Sequence, residues 1–530
     1  MPLDPWRAVI VCRQRLRPLA SVSPGRLSSF DPARTWAGMS PSANWLDGLA
    51  GRAELLNPQQ MGRADALSWH FGVPGPALMA NAGRAVARAV MARFRPCRTL
   101  VLCGPGNNGG DGYVAARLLD RAGWPVTLAA VAPPRAGSDA ALAAARWHGL
   151  AAPFTPAEAA RADLVIDAVF GAGLARDVDG VVAETLRAAR RLVAVDVPSG
   201  IDGATGAVRG YAPQAALTVT FFRLKPGHLL LPGRDLCGET LLADIGLPEA
   251  VLREVHPDCF VNLPELWPLP DLGPTSHKYS RGHVTVLGSA AMTGAARLAA
   301  DAARHAGAGL VTIVARAGAD IYRAGAPGVL VNDAPLADLL ADPRRRVWVC
   351  GPGLGPDAAR EAFPVLLGAG RTVVGDADVF SAFADDPDGL RGAAVLTPHA
   401  AEFARVFGAP GEDRLGAARA AAARTGAVVL LKGSDTIIAA PDGRAAINAN
   451  APPWLATAGS GDVLSGLIAG LLAQGMTSWQ AAAAGAFLHG RAAELAGPGL
   501  IAEDLLPAIG RALEATRSQL SARGGRSGVR

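Results

Sequence analysis

Short apolar runs and longer amphipathic stretches alternate along this chain in two blocks. In the first block, β-rich runs at 99–103, 126–131, 163–168, 192–197 and 216–222 trade places with helical stretches such as 113–122. After Arg281 the rhythm returns, with strands expected at 283–288, 310–315, 347–350, 372–375, 394–397 and 427–432 and helices at 295–306, 412–425, 463–473 and 479–496. Strands that are apolar throughout, separated by helices, predict parallel sheets covered on both faces. Between the blocks, residues 248–274 hold six prolines, too many for a helix or a central strand, so a linker is expected there. The pattern predicts an α/β chain of two three-layer domains, over 54–247 and 275–515. A disordered extension is expected over 1–53 and a tail over 516–530.

The length of 530 residues also asks for more than one core. Half of the residues are apolar and 18% are charged, which excludes a mainly disordered chain. No run approaches the ~18 uninterrupted apolar residues of a membrane span, and alanine supplies much of the positive mean hydropathy. No membrane partner is expected. The formal charge is +5, but residues 1–52 contribute seven Arg against three Asp, so the rest is nearly neutral and a nucleic-acid partner is not expected either. Six cysteines, none in a CxxC pair, read as reduced thiols of a cytoplasmic protein without a zinc site or disulfide framework. For residues 1–52, rich in Arg, Ser and Pro, two readings stay open: a mitochondrial transit segment, or a start upstream of a true one at Met39.

Candidate chemistry collects where the strands end. The run at 99–103 leads into GPGNNGGDG (104–112), and a helix is expected from Tyr113, which is phosphate-binding order; Gly104, Gly106 and Gly109 satisfy GxGxxG. A dinucleotide-dependent dehydrogenase would present an acid after the next strand, but Ala132-Pro133-Pro134 follows there, so a simple redox reading weakens. Two further strands end at Asp167, ahead of FGAGLAR (170–176), and at Asp196, ahead of VPSG (197–200). Asn108, Asp167 and Ser199 offer hard oxygen ligands for a cation, and Asp196 offers a carboxylate that can move a proton. Taken singly, Asp and Asn after strands are better explained as helix caps or turns. Three such strand ends in one domain favour a site.

In the second block, TAGSGD (457–462) opens an apolar helical run. Gly459 to Gly461 can turn backbone amides onto an anion there, and Asp462 beside them would act on a hydroxyl proton; the plainer reading is a good helix start. KGSDT (432–436) supplies a cation and a hydroxyl suited to a nucleotide phosphate. His399 follows the run at 394–397, and GPGLG (351–355) follows the run at 347–350. Asp376 and Asp378 could serve Mg²⁺, with turn formation as the alternative.

These strings resemble a known pair of enzymes. Residues 54–247, through GPGNNGGDG, DAVFGAGLAR and DVPSG, resemble the Rossmann-like NAD(P)H-hydrate epimerase domain. Residues 275–515, through HKYSRG, MTGAA, GPGLG, TPH, KGSDT and AGSGD, resemble the ribokinase-like ADP/ATP-dependent NAD(P)H-hydrate dehydratase, and the order is that of bacterial bifunctional repair enzymes. The resemblance implies that Asn107, Asn108, Gly109, Gly110, Asp111, Gly171, Ala172, Gly173, Leu174, Ala175, Arg176, Asp177 and Asp196 bind the hydrated nucleotide. It implies K⁺ on Asn108, Asp167 and Ser199, and catalysis by Asp196. In the second domain, Ala295, Gly353, His399 and the catalytic Asp462 would meet the hydrate. Lys432, Gly433, Ser434, Asp435, Thr436, Gly459, Ser460 and Gly461 would meet ADP, with Mg²⁺. The reactions implied are epimerisation of the R and S hydrates of NADH and NADPH, and ADP-dependent dehydration of the S form with release of AMP and phosphate, in a homo-oligomer. Asp378-Val-Phe380 stands where the family often has Asp-Ala-Leu, and residues 1–52 have no counterpart. Two other readings differ in class. A small-molecule kinase of the ribokinase-like superfamily fused to a nucleotide-binding domain would release a stable phosphoester; a non-catalytic nucleotide binder would have no use for Asp196 and Asp462.

Overall fold

Apolar residues on both sides of nearly every strand leave each sheet only one stable arrangement, with helices on both faces. The computed structural model describes residues 48–49 and 51–527, so most of the expected extension lies outside the described residues. The first sheet is parallel throughout, in the spatial order Leu150–Ala151, Val126–Ala130, Thr99–Cys103, Leu164–Ala168, Leu192–Val195, Leu217–Phe221 and Glu239–Ala243. Val101 and Cys103 join one core with Val86, Val114 and Leu119 of helices Gly75–Arg93 and Asn107–Arg121. Leu100 and Leu102 face the opposite way, into a core with Ala159 and Leu186 of helices Pro156–Arg161 and Gly180–Arg187. The chain winds outward from Thr99–Cys103 to one edge and resumes at its other neighbour, Leu164–Ala168. The strand order therefore reverses between these two, where open α/β sheets hold their ligands.

One boundary in this lobe departs from the sequence pattern. The helix expected from Tyr113 starts at Asn107, with Gly106 in extended backbone ahead of it, so most of the glycine string is helix. Its glycines serve close packing: a Cβ on Gly109 would lie 1.9 Å from the Gly104 carbonyl oxygen, and one on Gly112 would lie 2.6 Å from the Ala168 side chain. Contact with the sheet outweighs the ~1 kcal/mol that a glycine costs a helix.

The second sheet runs from Leu330–Asn332 through Leu310–Val314, His283–Leu287, Val347–Cys350, Thr372–Gly375, Val395–Leu396 and Val428–Leu431, all parallel. Strands Ile437–Ala439 and Ala445–Ile447 extend it antiparallel. The alanine-rich helix Thr293–His305 and the leucine- and glycine-bearing helix Ser460–Ala473 cover one face, and a Cβ on Gly466 would lie 1.9 Å from the Ala299 carbonyl oxygen. The other face carries Phe363, Phe380 and Phe403 from helices Pro356–Gly368, Asp378–Ala382 and Ala400–Phe407.

Two further strands shift the expected domain limits. Within the proline-rich stretch, Cys259–Val261 pairs in parallel with Ala445–Ile447, and Glu54–Leu55 closes that edge antiparallel to it. The prolines flank this three-residue strand without interrupting it, and Trp267 farther on is buried, its indole donating to Asn262 Oδ1 at 3.1 Å. The stretch is thus divided between the lobes: Val251 and Val255 still pack in the first lobe's core, whereas Cys259, Val261, Leu263 and Trp267 are built into the second, and residues 54–55 belong to the second sheet. At the other end, helix Ala502–Ser527 runs through the expected tail boundary at 515. Leu224, Leu229 and Leu230 of the first lobe share a core with Leu55, Val261, Leu431 and Ile437, so the two lobes are joined by apolar packing.

Candidate active sites

In the first lobe the carboxyl ends of four neighbouring strands converge. Asn107 and Asn108 open the helix after Thr99–Cys103; Asp167 lies near the end of the next strand, Asp196 follows Leu192–Val195, and Lys225 follows Leu217–Phe221. Asp196 holds a positive φ of 68°, unusual for a residue with a side chain, and its carboxylate is fixed from three sides. The Ala172 amide donates to Oδ2 at 2.9 Å, Thr220 Oγ1 donates to Oδ1 at 3.0 Å, and Lys225 Nζ lies 2.7 Å from Oδ1. His228 Nδ1 accepts from the Lys225 amide at 2.9 Å, which puts its proton on Nε2, and Nε2 donates to the Asp196 carbonyl at 2.8 Å. Burial works against the charge on Asp196, but Lys225, the Ala172 amide and His228 prevail and hold the carboxyl at about 2. His228 goes the other way: burial, helped by Lys225, lowers it to about 4, so it is neutral.

Asp111 lies on the same helix as Asn108 and is buried. Burial, then the charges of Asp196 and Asp65, raise its pKa well above the carboxylate range, and burial raises Asp65 to about 6. Asp196 and Asp111, close enough for the charge of one to act on the other, are thus pushed in opposite directions, a separation typical of acid and base partners. Asp167 accepts from Ser199 Oγ at 2.6 Å and from the Ser199 amide at 2.8 Å, and Ser199 Oγ in turn accepts from the Phe170 amide at 2.8 Å. Asn108 Nδ2 is buried without a partner, and a Cβ on Gly171 would lie within 3.4 Å of both Asn108 Oδ1 and Asp196 Oδ2. Gly109 and Gly110 are buried in packing, against the Gly104 backbone and the Met79 side chain. Gly173 is open to a ligand, and Arg176 stacks 5.5 Å from the Phe170 ring centre; Leu174, Ala175 and Asp177 line the same loop.

In the second lobe five neighbouring strands, His283–Leu287, Val347–Cys350, Thr372–Gly375, Val395–Leu396 and Val428–Leu431, aim their carboxyl ends at one region. Lys432 Nζ lies 2.7 Å from Asp376 Oδ1 and 3.6 Å from Glu402 Oε2, and Ser465 Oγ donates to Asp376 Oδ2. A Cβ on Gly461 would lie 3.4 Å from Lys432 Nζ, so the ammonium sits directly beside the turn at 459–461. Gly459, at φ +85°, supplies the left-handed step that opens helix Ser460–Ala473. Asp462, in that helix's first turn, is raised to about 6 by burial, with Asp376 and Glu402 adding to the effect and Lys432 opposing it. His399 caps helix Ala400–Phe407 through Nδ1, which accepts from the Ala401 and Glu402 amides, while Nε2 lies 3.4 Å from Glu402. Gly353 and Ala295 adjoin: a Cβ on the glycine would lie 3.0 Å from that of the alanine.

Three expected residues are occupied elsewhere. Asp435, 1% exposed, pairs with Arg414 and accepts from the Leu231 amide at 2.9 Å, so it is turned away from any nucleotide. Asp378 Oδ2 accepts from the Gly355 amide at 2.8 Å, and Asp376 is committed to Lys432 and Ser465. The two acids that could serve Mg²⁺ therefore do not form a ligand set, and among the described residues no group of three or more His, Cys, Asp or Glu is placed to hold a metal.

The comparisons with known proteins divide along the same line as the sheets. A family model described as YjeF-related protein N-terminus matches residues 75–227, and one described as NAD(P)H-hydrate dehydratase matches 283–511. The bifunctional NAD(P)H-hydrate repair enzyme Nnr of Mycobacterium tuberculosis is 42% identical over 423 residues, 77% of this chain and 84% of that protein. Its namesake from Escherichia coli is 35% identical, over 82% of this chain and 88% of that protein. The chain belongs to the family of bifunctional NAD(P)H-hydrate repair enzymes. Among solved structures, the ADP/ATP-dependent NAD(P)H-hydrate dehydratase of Bacillus subtilis co-crystallised with ATP and Mg²⁺ is 30% identical, covering 47% of this chain and 94% of its own, at a TM-score of 0.42. Among the described residues of this repair-enzyme family member, no helix is long and apolar enough to cross a membrane.

Four residues of the first site escaped the reading of the sequence: Asp65, Thr220, Lys225 and His228. Composition held a signal for one. The repair enzyme has 51 basic residues and only three are lysines, Lys225, Lys278 and Lys432. Two of the three stand in the two sites, where a compact ammonium fits between carboxylates that a planar guanidinium would not match.

Proposed function

We propose that each lobe carries one half of the repair of hydrated NADH and NADPH, and that the acids described above divide the work. Family membership makes the chain an enzyme with both an NAD(P)H-hydrate epimerase and an NAD(P)H-hydrate dehydratase activity. The hydrate is a carbinolamine, with a hydroxyl on C6 beside the ring nitrogen. In the first lobe, Asp111 gives its proton to that hydroxyl, which leaves as water while the nitrogen lone pair forms a C6 iminium. The fixed anion of Asp196 stabilises the cation and orients it, and water returns to the other face, giving its proton to Asp111. The carrying observation is the pairing of an anion held at about 2 with a buried carboxyl raised well above its usual range. The residues 107–111 and 171–177 surround the nucleotide. The residues fit K⁺ on Asn108, Asp167 and Ser199: the partnerless Asn108 amide can turn its oxygen inward, and Asp167 is a buried carboxylate paired with no cation. There K⁺ would supply positive charge to the anionic nucleotide.

In the second lobe, Asp462 takes the proton from the C6 hydroxyl of the S hydrate as that oxygen attacks the terminal phosphate of ADP. AMP leaves; the C6 phosphate then departs with loss of the C5 proton, restoring the double bond of NAD(P)H. A carboxyl near 6 is well tuned for this base at neutral pH. The amides at 459–461 hold the transferring phosphoryl group, with Lys432 beside them, and Gly433, Ser434 and Thr436 border the nucleotide. Ala295, Gly353 and His399 frame the hydrate. Mg²⁺ would be carried by the phosphate oxygens of the nucleotide, since the described residues offer no cage for it. A cytoplasmic location accords with the free thiols. The test is to supply mixed-epimer NADH hydrate with ADP, with ATP or with neither, and to follow recovery of nicotinamide absorbance. Full recovery with ADP and release of AMP is expected; a stable phosphoester as product would favour a small-molecule kinase.

A further inference from the structure

Between Lys225 of the first site and the turn that follows Lys432 in the second, only one short stretch of chain intervenes. Lys225 and His228 are locked to Asp196, and the next residues, Leu229 and Leu230, are buried against Leu431 and Ile437 of the second lobe. Immediately beyond them the Leu231 amide donates to Asp435 Oδ2 at 2.9 Å, and Arg234 Nη1 donates to the Ser434 carbonyl at 2.8 Å. Arg414, from the helix Arg414–Thr425, grips the other oxygen of Asp435. The turn 432–436 closes on itself only through Thr436 Oγ1, which accepts from the Gly433 amide at 3.1 Å and donates to its carbonyl at 2.7 Å. Ser434 and Gly433 are themselves exposed. Without the first lobe, the ends of the turn would stay anchored, the Lys432 amide donating to the Pro398 carbonyl and the Asn448 amide to the Thr436 carbonyl, each at 2.8 Å, but its middle, Ser434 and Asp435, would be held by Arg414 alone.

We infer that the first lobe braces the nucleotide turn of the second, with Arg234 and the Leu231 amide acting as positioning groups that hold Ser434 and Asp435, and so the 432–436 turn, in its ADP-binding shape. This rests on the reading of 432–436 as a border of the nucleotide. It explains why Asp435 is buried inside a string that otherwise faces a ligand: its carboxylate is the bearing on which the two lobes meet. It also makes the second site incomplete without a residue from the first.

The test uses the full chain. Arg234→Ala should weaken ADP binding, measured calorimetrically without hydrate, about threefold to tenfold, less than the full worth of a charge-assisted hydrogen bond because the bond shapes the turn without touching ADP. KM for ADP should rise in parallel while kcat for dehydration of S hydrate stays within about twofold, because Asp462 and the 459–461 amides are untouched. Arg234→Lys, which can still donate to the Ser434 carbonyl, should recover part of the affinity. Epimerisation at the parent rate in both variants reports an intact first lobe. Parent ADP affinity in Arg234→Ala overturns the brace, as does an equal loss of affinity, kcat and thermal stability in both variants. If Lys432→Ala also leaves ADP affinity unchanged, the reading of the turn itself fails; if Lys432→Ala weakens ADP and Arg234→Ala does not, only the brace fails.

Discussion

Asp196 and Asp462 look alike along the chain, each an acid next to a glycine-bearing strand or helix end in its own lobe, yet their surroundings give them opposite tendencies. In the first lobe Lys225 docks 2.7 Å from Asp196 itself, and the carboxyl is held at about 2. In the second lobe Lys432 docks 2.7 Å from Asp376, and Asp462, left among other acids, rises to about 6. Where the lysine lands decides whether a carboxylate becomes a permanent anion or a base poised near neutrality. On the proposed roles, one lobe stabilises a cation and borrows its proton from Asp111, whereas the other takes a proton from its substrate directly.

The largest expected effects come from neutralising the two acids. Asp462→Asn should cut single-turnover NADH formation from S hydrate by roughly 10²–10⁴, the usual range for losing a general base, while ADP binding and epimerisation persist. Asp196→Asn should do the reverse, lowering epimerisation by a similar roughly 10²–10⁴ and sparing dehydration of pure S hydrate. Near-parent dehydration by Asp462→Asn would leave that residue as a helix cap. The comparison would break if either variant lost both activities while remaining folded.

Next in size are the lysines. Lys225→Met should lower epimerisation by about 10²-fold, since the buried anion it stabilises would be left unpaired, and the dehydration rate should hold. Lys432→Gln should weaken ADP binding by about tenfold, because Asp376 and Glu402 would then face the phosphates without their cation. A Lys225→Met protein with parent epimerisation would separate the lysine from the chemistry.

A pH profile sharpens the contrast further. Asp462 works only when ionised, so kcat/KM for dehydration should fall as pH drops through about 6, by about tenfold per unit below it. Lys432 lowers Asp462, so in Lys432→Gln the acid limb should move to higher pH. Measuring ADP binding at the same pH values separates the titration of the nucleotide. A flat profile between pH 5 and pH 8, in a protein that binds ADP throughout, would remove Asp462 from the proton transfer.

The strands that carry these sites were legible because they are apolar on both sides, and several are followed at once by glycine or an acid, as at Thr99–Cys103, Leu192–Val195 and Val347–Cys350. Three short elements were not: Ile437–Ala439, Ala445–Ile447 and Cys259–Val261 are too short for a periodicity, and the last is hidden among prolines. The glycine string misled in one respect, since NNGGDG reads as a loop by composition and is helix by packing. Strings also conceal direction. KGSDT reads as one binding motif, but Asp435 turns inward to Arg414 and the first lobe, and Lys225 and His228, with neither a glycine run nor an acid to announce them, finish a site that the acids only begin.

The smallest expected effect is at the N-terminus. The described contacts of the amino end begin at Leu49, which is buried and joins Leu55 in the core shared by the lobes, and continue through Leu56 into the first lobe's core. Glu54 pairs with Arg223 at 2.9 Å, and that arginine is 2% exposed. A protein starting at Met39 keeps all of these and loses only residues rich in Arg, Ser and Pro, so both rates and the melting temperature should match those of the full chain. A start at Asn57 gives the contrast. It deletes three buried leucines, each contributing about 1.5–3 kcal/mol by burial, and leaves Arg223 without Glu54 in a dry interior. That protein should melt well below the Met39 form, and its ratio of dehydration to epimerisation should drop first, because Glu54–Leu55 is a strand of the second lobe's sheet. Loss of either activity in the Met39 form would give residues 1–38 a role in the two-lobed enzyme.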